Sequence, residues 1–316
     1  MSSTLPTDLA RGAYDTRHRA VKATGGQAVP GAVPAGTWTH QNRASRATGA
    51  LTPCYGPRGI ERREGRGSSM RIAVAGATGN IGALTVAALD RGGHDVVRVS
   101  RSLGVDLSTG EGLDDALTGV EAVVDVTNSP AADRAGTVAY FHAATGNLLA
   151  AERRAGVRHH VLLSIAGVDR VEGNAHYAGK REQERLVSAG PVPWTIVPAA
   201  QFHDFAAMVA SWAERDGVAP VAPLLVQPVA PADVADVLAE IVAGEPQGRY
   251  VDVVGPEPQD LVDMARRTNE ARGHRVKLVP SWSATFGPEM AGDVLLPGEN
   301  ARIAPTTFDE WLARQR

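Results

Sequence analysis

Three glycines spaced three apart, in Gly76-Ala77-Thr78-Gly79-Asn80-Ile81-Gly82, make the segment of this chain best suited to chemistry. Glycine lets a backbone turn sharply, admits a diphosphate against main-chain N–H groups and lets a helix start close to the preceding strand, while the helix N-terminus adds partial positive charge. The ligand such a loop suits is a dinucleotide, with Gly76, Thr78, Gly79, Asn80, Ile81 and Gly82 around its diphosphate. Further on, Ser100-Arg101-Ser102 offers a guanidinium and two hydroxyls and no Asp or Glu. That set suits a ribose 2′-phosphate, so NADP is expected rather than NAD, whose free 2′-hydroxyl would call for a carboxylate. Asp106 is a candidate contact for the adenine edge and equally a turn residue.

A strand, a turn and a helix must position these residues, and the pattern supplies them. The apolar run at 71–75 reads as a strand ahead of the loop, and 83–88 as the helix behind it. Strands are expected at 94–100, 122–127, 160–165 and 194–197, with helices at 112–117, 134–155 and 177–188 between them. Strands alternating with helical crossovers imply an α/β fold, a Rossmann-type doubly wound parallel sheet. Beyond residue 200 the alternation loosens, and Pro220, Pro223, Pro228 and Pro231 precede a helix at 232–242. The expected organisation is a cofactor-binding core at 70–200 and a small C-terminal substrate-side lobe at 201–316 that completes the same domain.

Composition sets the first 69 residues apart. They hold ten Lys/Arg against four Asp/Glu and lack apolar periodicity, which reads as a disordered leader upstream of a natural start at Met70. The remainder holds 22 basic and 31 acidic residues, which argues against non-specific binding of nucleic acid. The single cysteine, Cys54, lies in the leader, so no thiol chemistry is expected of the core. No apolar run approaches membrane-spanning length, no secretory segment is apparent, and no Cys/His spacing suits a metal. A cytoplasmic protein acting on a small molecule, with no metal and no membrane, is expected.

The loop, the strand end Val126-Thr127-Asn128, and Tyr177, Lys180, Glu184 and Leu186 ahead of Pro193-Trp194-Thr195-Ile196-Val197 together resemble an atypical short-chain dehydrogenase/reductase of the NmrA-like branch. The likeness continues through Gln201-Phe202, Gln227-Pro228-Val229, Asp233-Val234-Ala235, Gly255-Pro256-Glu257, Leu295-Leu296-Pro297-Gly298 and Trp311-Leu312. It implies an NAD(P) ligand, with Thr127, Asn128 and Lys180 among its contacts; Gln201, Phe202, His203 and Asp204 follow a strand end, a position that suits the substrate pocket and equally a core or loop role. It also implies catalysis by a Tyr, a Lys four residues later and a Ser, here Ser164. His176, not Tyr, stands four residues before Lys180, and Tyr177 stands three before. Three readings follow: Tyr177 donates the proton with altered geometry, His176 donates it, or neither acts. The first two describe an NADPH-dependent oxidoreductase acting on a carbonyl, imine or activated double bond. The third describes a redox sensor that binds the cofactor without turnover, and a lyase or isomerase would use the same pocket. The helices at 134–155 and 174–189 would pair in a homodimer, by analogy with classical members of that superfamily.

Overall fold

The computed structural model describes residues 69–315 except Thr285. All of the expected leader but Ser69, together with Cys54, lies outside the described residues.

Short apolar runs form the central strands because helices cover both faces of the sheet, so neither face needs polar side chains. The strands β1 (Arg71–Ala75), β2 (Asp95–Val99), β3 (Ala122–Asp125), β4 (His159–Ile165) and β5 (Trp194–Ala199) lie in the order β2-β1-β3-β4-β5, all parallel. Alternate residues of β1 enter different cores: Ile72 and Val74 pack with Val124, Val161 and Leu89, whereas Ala73 and Ala75 pack with Val123, Leu113 and Leu148. The first core lies under α1 (Asn80–Arg91). The second lies under α2 (Leu113–Ala116) and α3 (Arg134–Ala155), and α4 (Ala175–Ser188) packs along α3. Strand order reverses between β1 and β3. At such a switch point the crossovers diverge and leave a crevice at the carboxyl ends of the strands.

The segment after residue 200 both extends the sheet and builds a smaller lobe. Along it run α5 (Phe205–Ala213), β6 (Val218–Val221), β7 (Leu225–Val226), α6 (Pro231–Val242), β8 (Gly248–Arg249), β9 (Asp252–Val254), β10 (Gln259–Asp260), α7 (Leu261–Ala271), β11 (Lys277–Pro280), β12 (Ala301–Ile303) and α8 (Phe308–Ala313). β9 and β12 continue the parallel sheet beyond β5, β8 pairs with β5 beside them, and α6 packs against α1. The lobe holds two small sheets, β6 with β11 and β7 with β10, around Val209, Leu224, Leu261, Met264 and Phe308. Tyr177 of α4 belongs to this lobe's core. Among the described residues no helix is long and apolar enough to cross a membrane.

Candidate functional site

The glycine loop leaves β1 at the switch point. Gly76 sits at φ +85°, and a Cβ there would lie 3.2 Å from the backbone of Val126, the residue after β3. The Gly76 and Ala77 amides donate to the Val99 carbonyl at 2.9 and 3.3 Å, and the Gly79 amide donates back to the Gly76 carbonyl at 2.9 Å. Gly82 is the strictest of the three. A Cβ there would fall 2.1 Å from the Gly76 oxygen and 2.8 Å from Ala77 Cα, so only glycine lets α1 begin this close to the loop. Gly79 caps α1 without a side-chain hydrogen bond, and no acidic residue stands in the first turn. A loop whose backbone packs too closely for a Cβ at 76 or 82, ending at a helix N-terminus with no side-chain cap, suits a diphosphate.

At the end of β2, Ser100 is buried and its Oγ lies 3.0 Å from Ser102 Oγ, while Arg101 is exposed on the following turn. Asp106 Oδ1 accepts from the Ser108 amide at 2.8 Å and from the Ser108 hydroxyl at 2.5 Å. Those hydrogen bonds first, and the charge of Arg101 to a lesser degree, hold its carboxyl below the usual range. Asp106 is therefore anchored in a turn beside Arg101. The sequence reading missed Tyr140 of α3. Partial burial pushes its phenol up, and the charges of Asp125, Arg101 and Asp106 bear on it to a lesser degree.

Lys180 reaches its place because α4 crosses α3 at Gly179, where a Cβ would meet Thr137 Cγ2 at 2.2 Å. The Lys180 ammonium is buried, 5.2 Å from the centre of the Phe141 ring, and donates to the Leu163 carbonyl at 2.8 Å and to Gln183 Oε1 at 2.6 Å. Burial lowers it to about 8, against the opposing pull of Asp125 and then Glu184. Gln183 Nε2 in turn donates to Asp125 Oδ2 at 2.9 Å, and Asp125 Oδ1 accepts from the Thr127 amide and hydroxyl at 2.9 and 2.6 Å. Thr127 is thus buried within this network, whereas Asn128 is exposed beyond it.

The two residues ahead of Lys180 point different ways. His176, four before it and so on the same side of the helix, is exposed. Protein nonetheless crowds it closely enough that lost hydration, and secondly the Lys180 charge, holds its imidazole down to about 4. Tyr177 turns inward instead, its hydroxyl accepting from Gln201 Nε2 at 3.1 Å. Burial pushes that phenol up to about 12, and the cation that bears on it is Arg170, not Lys180. Ser164 at the end of β4 is buried, and its Oγ has no hydrogen-bond partner; the same holds for Gln201 Oε1. A buried polar atom without a partner in the protein is one suited to a ligand.

The structure therefore seats the Lys180 ammonium on the carbonyl of Leu163, the residue before Ser164, within electrostatic reach of His176, and turns Tyr177 to Gln201. Phe202 is half-buried against the main core, and His203 is wholly buried between Phe308 and Trp311. Asp204 accepts from Asn80 Nδ2 at 3.2 Å, tying the glycine loop to the turn before α5. His159 and His160 point apart, to Thr195 and Glu152.

The chain matches the NAD(P)H-binding family over residues 76–245. It is 34% identical over 207 residues to the (4-alkanoyl-5-oxo-2,5-dihydrofuran-3-yl)methyl phosphate reductase of Streptomyces griseus, a stretch covering 59% of this chain and 68% of that protein. Among solved structures it is similar to an NADPH-dependent quinone oxidoreductase from Escherichia coli crystallised with NADPH, at 20% identity and TM-score 0.51, covering 66% of this chain and 78% of that one. A nucleoside-diphosphate-sugar epimerase from Staphylococcus aureus aligns at 19% identity and TM-score 0.56, covering 77% and 99%. Both likenesses show the doubly wound fold.

Proposed function

The chain belongs to the NAD(P)H-binding family, and from that premise we propose that it is an NADPH-dependent oxidoreductase reducing a carbonyl, or a carbon–carbon double bond conjugated to one. The observation that supports this reading is the buried Lys180 ammonium on the Leu163 carbonyl, one residue before the unpartnered Ser164 hydroxyl, with its charge bearing on His176. The reductase relative, named for an oxo-dihydrofuran substrate, supports the conjugated class.

The loop amides and the N-terminus of α1 would hold the diphosphate, Arg101 with Ser100 and Ser102 the 2′-phosphate, and Lys180 the ribose beside the nicotinamide. Bound NADPH supplies a hydride. The chain's own part is to take up the charge that the hydride leaves on the substrate oxygen. Ser164 Oγ donates a hydrogen bond there, and His176, neutral at pH 7 because it is held to about 4, donates a second as an uncharged imidazole. Lys180, lowered to about 8, is the nearby group that still carries an exchangeable proton near neutrality, and it passes that proton to the product through His176.

The test is NADPH oxidation by the full-length protein, followed by absorbance against unsaturated lactones, 2-enones, quinones and aldehydes. Turnover of at least one class is expected, strongest among conjugated lactones. Tight NADPH binding with no turnover across the panel would overturn the oxidoreductase and leave the sensor.

A further inference from the structure

Only three lysines occur in the whole chain, Lys22, Lys180 and Lys277, against 29 arginines. A position that keeps lysine in so arginine-biased a sequence, and buries it, calls for what arginine lacks: a compact cation able to lose its proton near neutral pH. The question is what holds that cation in place, since the phenol usually expected beside it is turned away to Gln201.

We propose that Gln183 is a positioning residue that joins Asp125 to Lys180 as an amide-bridged ion pair, and so sets both the place and the charge of the ammonium facing the cofactor site. The proposal rests on the reading of Lys180 as part of that site. Gln183 is fully buried on α4, three residues after Lys180. Its two ends are not interchangeable. The amide nitrogen faces two oxygens, Asp125 Oδ2 at 2.9 Å and Thr127 Oγ1 at 3.3 Å, and the carbonyl oxygen faces the ammonium at 2.6 Å. Reversing the amide would set NH₂ against NH₃⁺ and a carbonyl against a carboxylate, so the charges at each end enforce the orientation. Asp125 is itself buried, and its other oxygen is committed to Thr127, which leaves Oδ2 aimed along the bridge.

The bridge explains how a lysine can be buried and still charged. A direct contact would neutralise the ammonium's pull on a ligand, whereas no carboxylate at all would drive it to the neutral amine. An intervening amide transmits part of the charge and leaves the cation's third N–H uncommitted. The other groups facing Lys180 are few. His176 lies on its own helix, Glu184 on α4 is paired with Arg249 of β8 at 2.7 Å, β4 contributes the Leu163 carbonyl, and α3 contributes the Phe141 ring.

The test follows the Lys180 side chain by NMR in the full chain labelled with ¹³Cε-lysine, where only three signals arise. Wild-type, Gln183→Met, Gln183→Glu and Asp125→Asn proteins are titrated without cofactor and then with NADPH. A bridge predicts opposite shifts. Gln183→Met and Asp125→Asn lower the Lys180 midpoint by about one pH unit or more, and Gln183→Glu, of nearly the same shape, raises it by about one. NADPH affinity at pH 7.5 falls about tenfold in Gln183→Met and stays within about threefold in Gln183→Glu. A Lys180 midpoint unchanged in Gln183→Met and Gln183→Glu overturns the bridge, whatever happens to binding. Midpoints that shift as expected in a protein that binds no NADPH uphold the bridge and overturn the cofactor reading of Lys180, so the two failures are told apart.

Discussion

Replacing Gly179 by alanine should drive α3 and α4 apart at the point that seats Lys180. The added Cβ would stand 2.2 Å from Thr137 Cγ2, 2.8 Å from Phe141 Cδ2 and 3.2 Å from Phe141 Cε2, so ordinary contact requires the helices to part by roughly 1 Å. Overpacking of this kind costs about 1–3 kcal/mol, and the better helix propensity of alanine returns at most about 1 kcal/mol. A net loss near 1–2 kcal/mol corresponds to a fall in Tm of about 3–6 °C for a domain of this size. The nearest clash can be removed separately. Thr137→Ser deletes the methyl at 2.2 Å and keeps the hydroxyl that donates to the Ala131 carbonyl at 3.0 Å. The double variant should recover about half of the loss, a coupling that thermal unfolding of the four proteins of the cycle measures directly. If Gly179→Ala raises Tm, as it would at an exposed helix position, or if Thr137→Ser rescues nothing, the close crossing is wrong and so is the seat assigned to Lys180.

Three further outcomes follow from the same geometry. Gly82→Ala puts a Cβ 2.1 Å from the Gly76 oxygen, where only backbone could yield, and calorimetry should show NADPH affinity reduced at least about tenfold; unchanged affinity would take the cofactor off this loop. Tyr177→Phe loses one hydrogen bond to Gln201, about 1 kcal/mol of stability, and keeps kcat within about threefold, whereas His176→Ala lowers kcat about 100-fold; the reverse ranking in steady-state kinetics would restore Tyr177 as proton donor. Lys180 is held at about 8 against 10.5 for the free side chain, so between those values the unfolded chain binds more protons and stability rises with pH. The gain is about 3 kcal/mol, and urea unfolding at pH 7.5 and 10.5 should show it in the wild type but not in Lys180→Met. Parallel profiles would mean that the ammonium is not buried.

The glycine loop was legible in sequence because strand, turn and helix are contiguous there, and each glycine answers to a neighbour within six residues or to the adjacent strand. The helix at 134–155 was read to the residue, since Asp133 caps its start and Gly156, at φ +76°, ends it. Lys180 and Ser164 were reached only through the family pattern. Which of His176 and Tyr177 turns inward was not legible, because one residue turns a helix by about 100°, and the lobe that buries Tyr177 comes from residues far along the chain. Gln183 was missed for a related reason. Its partner Asp125 is 58 residues away, and in the sequence the one reads as a helix-surface amide and the other as the polar end of a strand. The helices α5, α7 and α8 were not anticipated either; at 9, 11 and 6 residues they span at most about three turns, too few to show a clear period.

Transfer of deuterium tests the hydride step directly. The full-length protein is incubated with NADPH deuterated on the reactive face of the nicotinamide and an unsaturated lactone, and the product is weighed by mass spectrometry. Hydride transfer from the cofactor gives a product one mass unit heavier than that from unlabelled NADPH, formed in step with NADP⁺. A protein that binds NADPH and yields no labelled product from any lactone, enone, quinone or aldehyde would contradict it.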